Sequence, residues 1–242
     1  MGDDKSGFFS SENRPKYFLI FPKPEDFFVL TPKKKEKLRY IYDAPITFDG
    51  KEAEFVTKIK DKAHKKYGKN NKELETHITS MTDGNLLRWG HTFENLDVDK
   101  AISAIKDNFT MMSKIPKGMT LEITTMLQLG AFYSFGRDSH YRPIWVLKMI
   151  SAIDLIKKYT AVKVRNMLNC FFNFIINKMT IQGQIENWVS IYDFDGCTKK
   201  QHDSKIKEVF KVMDELNMSL VTRIYRNYWF NFPNEYNHLS YS

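Results

Sequence analysis

Apolar residues recur along this chain in two rhythms, and the change between them comes near residue 118. Before it, the spacing is that of one helix face. Ala53, Phe55, Val56, Ile59 and Ala63 fall at helical intervals, which buries one stripe and leaves a polar side. This run predicts a helix ending near Gly68-Lys69-Asn70-Asn71, where glycine and asparagine terminate helices readily. A polar cap at Thr82-Asp83 opens a short helix through Leu86-Leu87-Arg88-Trp89. Asp97 caps a clearer one, with Val98, Ala101, Ile102, Ile105, Phe109 and Met112 on a single face. That helix closes at Lys114-Ile115-Pro116-Lys117-Gly118.

Beyond Gly118 short apolar runs alternate with helical ones. A tight polar turn, Gly136 to Pro143, leads into the β-type run Ile144 to Met149. Residues 152–180 read as helical, with an apolar set broader than one face, including Met167, Leu168, Phe171, Phe172, Phe174, Ile175, Ile176 and Met179. Such a segment is buried on more than one side or lines a pocket. Trp188 to Asp193 is a buried-strand pattern that stops at Asp193-Phe194-Asp195-Gly196. A helix is expected over about 202–218 and a third strand over Arg223 to Phe230. Strand and helix in alternation predict a parallel sheet with crossover helices.

Residues 1–48 follow neither rhythm. Pro15, Pro22, Pro24, Pro32 and Pro45 forbid a long helix. The aromatic runs between them argue against simple disorder. An extended arm lying across the folded body is expected. Three parts follow: an arm (1–48), a helical module (49–118) and an α/β domain (119–242).

The charge balance, 37 basic against 29 acidic residues for a net +8, suits anionic partners. It concentrates on the polar side of the first helix, where Lys58, Lys62, Lys65 and Lys66 form the candidate face for an anionic membrane surface. The aromatic interleaving of a single-strand binder is missing there, so no nucleic-acid partner is expected. Cys170 and Cys197 have no metal-ligand spacing, and neither a metal nor a cofactor is expected. Two lone thiols fit a reducing compartment. The longest charge-free run, Ile123 to Gly136, is shorter than the ~20 apolar residues of a membrane span. Gly2 with Ser6 fits the loose myristoylation pattern. The expected location is cytoplasmic, peripheral to membranes.

Asp193 and Asp195 raise an enzymatic reading. Aspartate-nucleophile phosphatases place two aspartates, two apart, just after a buried strand, with Mg²⁺ between them. Those enzymes also need a Ser/Thr, a Lys and further acids on later strands. Here Asp203 and Asp214-Glu215 fall inside or at the start of a predicted helix. The two aspartates are better read as loop and capping acids, so no catalytic residue is expected.

Three segments, in order, resemble the CRAL-TRIO lipid-binding family, in particular its secretory phosphatidylinositol-transfer members. Leu86-Leu87-Arg88-Trp89 followed by Asp97-Val98-Asp99-Lys100-Ala101 is similar to the family's N-terminal helical signature. Gly136-Arg137-Asp138 with Arg142-Pro143-Ile144 is similar to the approach to its first strand. Val189 to Gly196 resembles its "aspartate, leucine, lysine, glycine" strand end. The resemblance implies an α/β fold in which an N-terminal helical module precedes a small, mainly parallel sheet with crossover helices. It also implies a cavity holding one lipid or other hydrophobic molecule, carried between or presented at membranes. The same fold used as a membrane or protein tether is the alternative, and the phosphatase is the least favoured reading.

The departures from the family are specific. Its headgroup-facing serine and threonine correspond to Trp188 and Ser190, and its tyrosine-proline-glutamate to Asn217, Met218 and Ser219. The family's last strand, its inositol-lipid lysine and its gate helix have no counterpart before Ser242, so the sheet is expected to be C-terminally shortened. A homodimer formed by exchange of elements is one way to complete it. Trp188, Ser190 and Tyr192 share a strand face, on which Ser190 and Tyr192 are placed to bond a polar lipid end. Arg226, on a sheet strand, needs a partner such as a lipid phosphate, Asp193 or Glu215. Phe171, Phe174, Ile175 and Met179 are the candidate cavity wall.

Overall fold

The helices begin where capping side chains are available. In this computed structural model, which describes residues 27–30, 37–43, 48–115, 118–220 and 224–231, Asp49 opens α1 (Gly50–Tyr67) with a complete capping box to Glu52. Asn71 caps α2 (Lys72–Thr79), Thr82 caps α3 (Asp83–Gly90) and Asp97 caps α4 (Val98–Met112). Each satisfies backbone N–H groups that the first turn leaves without partners. The predicted break at Gly68 is the junction of α1 and α2. These four helices close on their own core, built from Phe55, Ile59, Leu74, Leu86, Leu87, Ile102 and Ile105 among others. The arm lies largely outside the described residues, as do Gly2 and the five prolines. Its described parts include a small antiparallel pair, β1 (Phe28–Leu30) and β2 (Lys37–Arg39).

A short helix α5 (Leu121–Leu127) leads into a four-stranded sheet of order β3-β4-β5-β6. Its strands are β3 (Phe132–Arg137), β4 (Pro143–Lys148), β5 (Trp188–Asp193) and β6 (Ile224–Phe230). The first pair is an antiparallel hairpin, while β4, β5 and β6 run parallel. The hairpin strand β3 is an addition to the three strands predicted. Its residues, Phe132 to Arg137, lie in the charge-free run and the polar turn, where alternation is weak.

The Gly136-Arg137-Asp138…Arg142-Pro143 motif has a plain structural job. The Asp138 carboxylate accepts from the backbone N–H groups of His140 and Arg142 and from Arg142 Nε, and so ties the β3–β4 turn together. Gly136 and Tyr141 there take left-handed φ values of 82° and 59°, a conformation that glycine tolerates most easily.

The segment expected as one long helix is two, α6 (Met149–Lys158) and α7 (Ala161–Phe174), separated at Tyr159-Thr160 where Thr160 caps the second. A π-helical turn, Ile175–Met179, ends α7. The long helix α8 (Lys199–Leu220) crosses from β5 to β6. Both crossovers join neighbouring parallel strands in the same sense, and right-handed connections then put α6, α7 and α8 over one face of the sheet. That face and those helices form the second core.

The two cores are locked together by a buried ion pair. Arg88, from the Leu-Leu-Arg-Trp segment of α3, donates to Glu186 in the loop before β5, and both side chains are almost wholly buried. The Glu186 carboxylate also accepts from the backbone N–H groups of Tyr42, Asp43 and Gly183 at 2.8–2.9 Å. Asn187 donates to the Tyr40 carbonyl. The segment 40–43 is thereby held between the helical module and the sheet.

Candidate functional site

The central strand β5 sits between β4 and β6, so its side chains meet neighbours on both flanks. Side chains alternate along a strand, and the registers place Trp145 beside Ser190 and Leu147 beside Tyr192, with Tyr192 beside Trp229. These residues face α7 and α8. The layer between sheet and helices is filled with rings: Phe172 meets Trp145 edge-on at 5.2 Å and lies nearly parallel to Trp188 at 5.5 Å. Tyr192 stacks on Trp229 at 4.5 Å, and Phe210 of α8 lies 5.7 Å from the same indole. Offset and edge-on ring pairs of this kind add roughly 0.5–1.5 kcal/mol each beyond the area they bury.

Within this apolar layer several polar atoms have no hydrogen-bond partner among the described residues. They are the indole nitrogens of Trp145 and Trp188 and both amide atoms of the fully buried Asn169 on α7, while Ser190 has the Tyr192 side chain as its hydrogen-bonding neighbour. Buried polar groups are nearly always paired, so a cluster of exceptions around one strand marks this layer as chemically unfinished. Burial pushes the Tyr192 phenol well above its ordinary value, and the Ser190 side chain beside it pulls the other way. The sequence showed Trp188, Ser190 and Tyr192 through strand alternation. Trp145 is found by applying the same alternation to β4. Asn169 carries no such signal, because one amide among the apolar positions of α7 reads as polar helix surface.

The remaining candidate residues occupy different surroundings. Phe171 and Ile175 are buried, Phe171 edge-on to Phe172 at 5.5 Å. The Met179 sulfur lies 3.5 Å from Ser134 Oγ. Phe174 is 46% exposed and lines a surface cleft with Met119 and Lys178. Arg226 is paired in register with Val189, and its side chain lies outside the described residues. On α1, Lys58 pairs with Glu54 of the same helix, and Lys62 reaches Asp99 of α4 at 2.5 Å. Lys66 lies 5.5 Å over the Tyr67 ring, and Lys65 is exposed.

Asp193, at the end of β5, is occupied as a turn acid. Asp193 Oδ1 accepts from the Asp195 backbone N–H at 3.0 Å and from the Asn231 amide at 2.9 Å. Gly196 follows with a φ of 76°. The nearby Cys197 thiol is raised to about 11, by burial first and by Asp193 and Asp195 after it, so it is no reactive thiolate at neutral pH. Among the described residues no group of three or more His, Cys, Asp or Glu side chains is arranged to hold a metal ion. No helix among them is long and apolar enough to cross a membrane.

Comparison with known proteins bears on the α/β part. The family model described as the CRAL/TRIO domain matches residues 127–239. No curated protein matches the chain. In fold, 19 chains of solved structure match. The crystal structure of Sfh5 aligns over 80% of this chain and 75% of its own, with a TM-score of 0.54 at 13% identity. That similarity speaks for a shared α/β fold. Residues 127–239, which carry the sheet and its one-sided helical layer, are thus similar in sequence to the CRAL/TRIO domain.

Proposed function

We propose that the protein binds one lipid or other small hydrophobic ligand between the sheet and helices α6–α8, and carries it between membranes or presents it there as a peripheral cytoplasmic protein. One observation carries this reading: the buried, unpartnered polar atoms of Trp145 and Trp188 on the sheet and of Asn169 on α7. Each such group costs about 1–3 kcal/mol when left unsatisfied. A ligand whose polar end reaches them recovers part of that cost, and its apolar body gains about 0.8 kcal/mol per buried CH₂. Entry requires the Phe172 and Trp188 rings to part. Trp188, Ser190 and Tyr192 form the floor in this reading, with Phe171, Ile175 and Met179 on the wall.

A second reading is favoured by the ring packing itself. A layer filled by Trp145, Phe172, Trp188, Tyr192 and Trp229 is a well-formed core without a ligand, and suits a tether that contacts membranes or proteins from its surface.

Native mass spectrometry of the purified protein, followed by organic extraction, separates the two. A stoichiometric lipid that is depleted in a Ser190→Leu/Asn169→Leu variant supports the carrier. An empty protein that takes up no lipid from vesicles sinks it and leaves the tether.

A further inference from the structure

At the far end of α7 the surface changes character. Met119 is 54% exposed and Leu121 83% exposed, in the segment that enters α5. Phe174 is 46% exposed at the point where α7 becomes a π-turn. A cleft of about 490 Å³ is lined by Met119 and Phe174 together with Met112, Ile115 and Lys178, and Leu121 follows Met119 by two residues. Exposed apolar side chains scattered singly are ordinary on proteins, but a contiguous group of them rimmed by polar residues marks a contact surface. The π-turn strengthens the point, because such turns concentrate at functional sites.

Among the described residues no carboxylate lines the cleft, and Glu122, next to Leu121, is paired with Lys163 at 2.5 Å. Lys114 lies one residue before Ile115, and Lys178 lies in the cleft wall; both are exposed. The basic side of α1 is different. Lys58, Lys60 and Lys62 are each within 2.6 Å of a carboxylate, so part of its field is cancelled within the fold.

Large apolar tips beside uncompensated lysines match a bilayer surface that carries anionic headgroups. The tips enter the headgroup–acyl boundary while the ammonium groups stay at phosphate level. We propose that this patch (Met119, Leu121 and Phe174 flanked by Lys114 and Lys178) is the face by which the protein docks on anionic membranes. The inference deepens the membrane-presenting reading above and assigns it a surface.

The test is sedimentation with phosphatidylcholine vesicles, with and without phosphatidylserine, comparing the whole chain with three variants. The first is Met119→Asp/Leu121→Asp. Leu121 is the first residue of α5, where an acidic side chain suits the helix dipole, so this variant keeps its fold. The second is Lys114→Glu/Lys178→Glu, and the third, on α1, is Lys65→Glu/Lys66→Glu. The expected result is about a tenfold or greater loss of binding in the first variant, since each lost apolar anchor removes insertion free energy. The second variant should lose the preference for phosphatidylserine, and thermal melting should be unchanged in both. Unaltered binding in the first variant, or loss confined to the α1 variant, overturns the proposal, as does a wild-type chain that binds neither vesicle. Co-purified lipid is measured on the same samples. Its absence counts against the carrier reading alone, because vesicle binding judges the docking face independently.

Discussion

Arg88 donates to Glu186 across 98 positions of sequence, and by that contact the helical module is fastened to the sheet domain. The Arg88 guanidinium also lies 4.3 Å over the Tyr42 ring, so one cation holds the segment 40–43 as well. Removing a single partner from a buried pair strands the other charge, at about 3–5 kcal/mol. Arg88→Met and Glu186→Gln should each lower urea-unfolding stability by an amount in that range. The Arg88→Met/Glu186→Gln double variant should lose clearly less than the sum, which a double-mutant cycle reads directly.

Gly84 tests the same junction sterically. A Cβ built there meets the Tyr42 carbonyl oxygen at 2.4 Å and Asp43 Oδ1 at 2.6 Å. The Tyr42 backbone, whose carbonyl carbon is also only 2.7 Å away, leaves little room to yield. Gly84→Ala, normally favourable inside a helix, should instead destabilise by about 1–3 kcal/mol. It should also raise amide exchange at Tyr42 and Asp43, whose N–H groups bond Glu186.

Stability should fall on both sides of neutrality. Burial holds His91 below its ordinary value, against the opposing pull of Glu52, and burial does the same to His77. The unfolded chain then binds these protons at a pH where the folded chain does not, so stability is full above the unfolded value of about 6.5 and declines as pH drops below it. His91→Gln should flatten part of that decline in urea titrations at a series of pH values. Tyr42 gives the opposite limb. Its phenol is raised to about 12 by burial, so stability is lost as pH climbs from about 10 through that value.

The ring layer predicts a cavity phenotype. Trp188 is 2% exposed and lies against Phe172. Trp188→Ala should cost about 3–5 kcal/mol in thermal or urea unfolding. It should also open space beside Ser190, and uptake of a fluorescent fatty acyl probe should rise relative to wild type while that variant remains folded. Unchanged uptake would place the ligand elsewhere.

Asp193 should behave as a turn acid. Asp193→Ala removes the acceptor for the Asp195 N–H and the Asn231 amide, and should cost about 1 kcal/mol. Hydrolysis of p-nitrophenyl phosphate with Mg²⁺ should be at buffer level for wild type and variant alike. Turnover that vanishes in the variant would restore the phosphatase reading.

Local signals determined much of this protein. Thr82 and Asp97 announce their helices because a capping carboxylate or hydroxyl acts within three residues of itself. The alternation of β5 was equally legible, since a strand has a period of two whatever it packs against. The CRAL/TRIO resemblance could be read from motifs, although the motif residues turn out to serve as fasteners: Arg88 for Glu186, and Asp138 for its hairpin turn. Tertiary structure alone decided what each face meets. Trp145 and Ser190 come together from two strands, and Phe172 of α7 closes over Trp145. Phe174, written into the same apolar run as Phe172, faces solvent because the helix surface rotates about 100° per residue while the core covers only one side of it. Glu186 looks like an ordinary loop acid until Arg88 and the N–H groups of Tyr42 and Asp43 converge on it. A sequence carries the period of each element, but the partners of a buried charge or an unpaired indole depend on contacts between distant segments, and those exist only once the chain has folded.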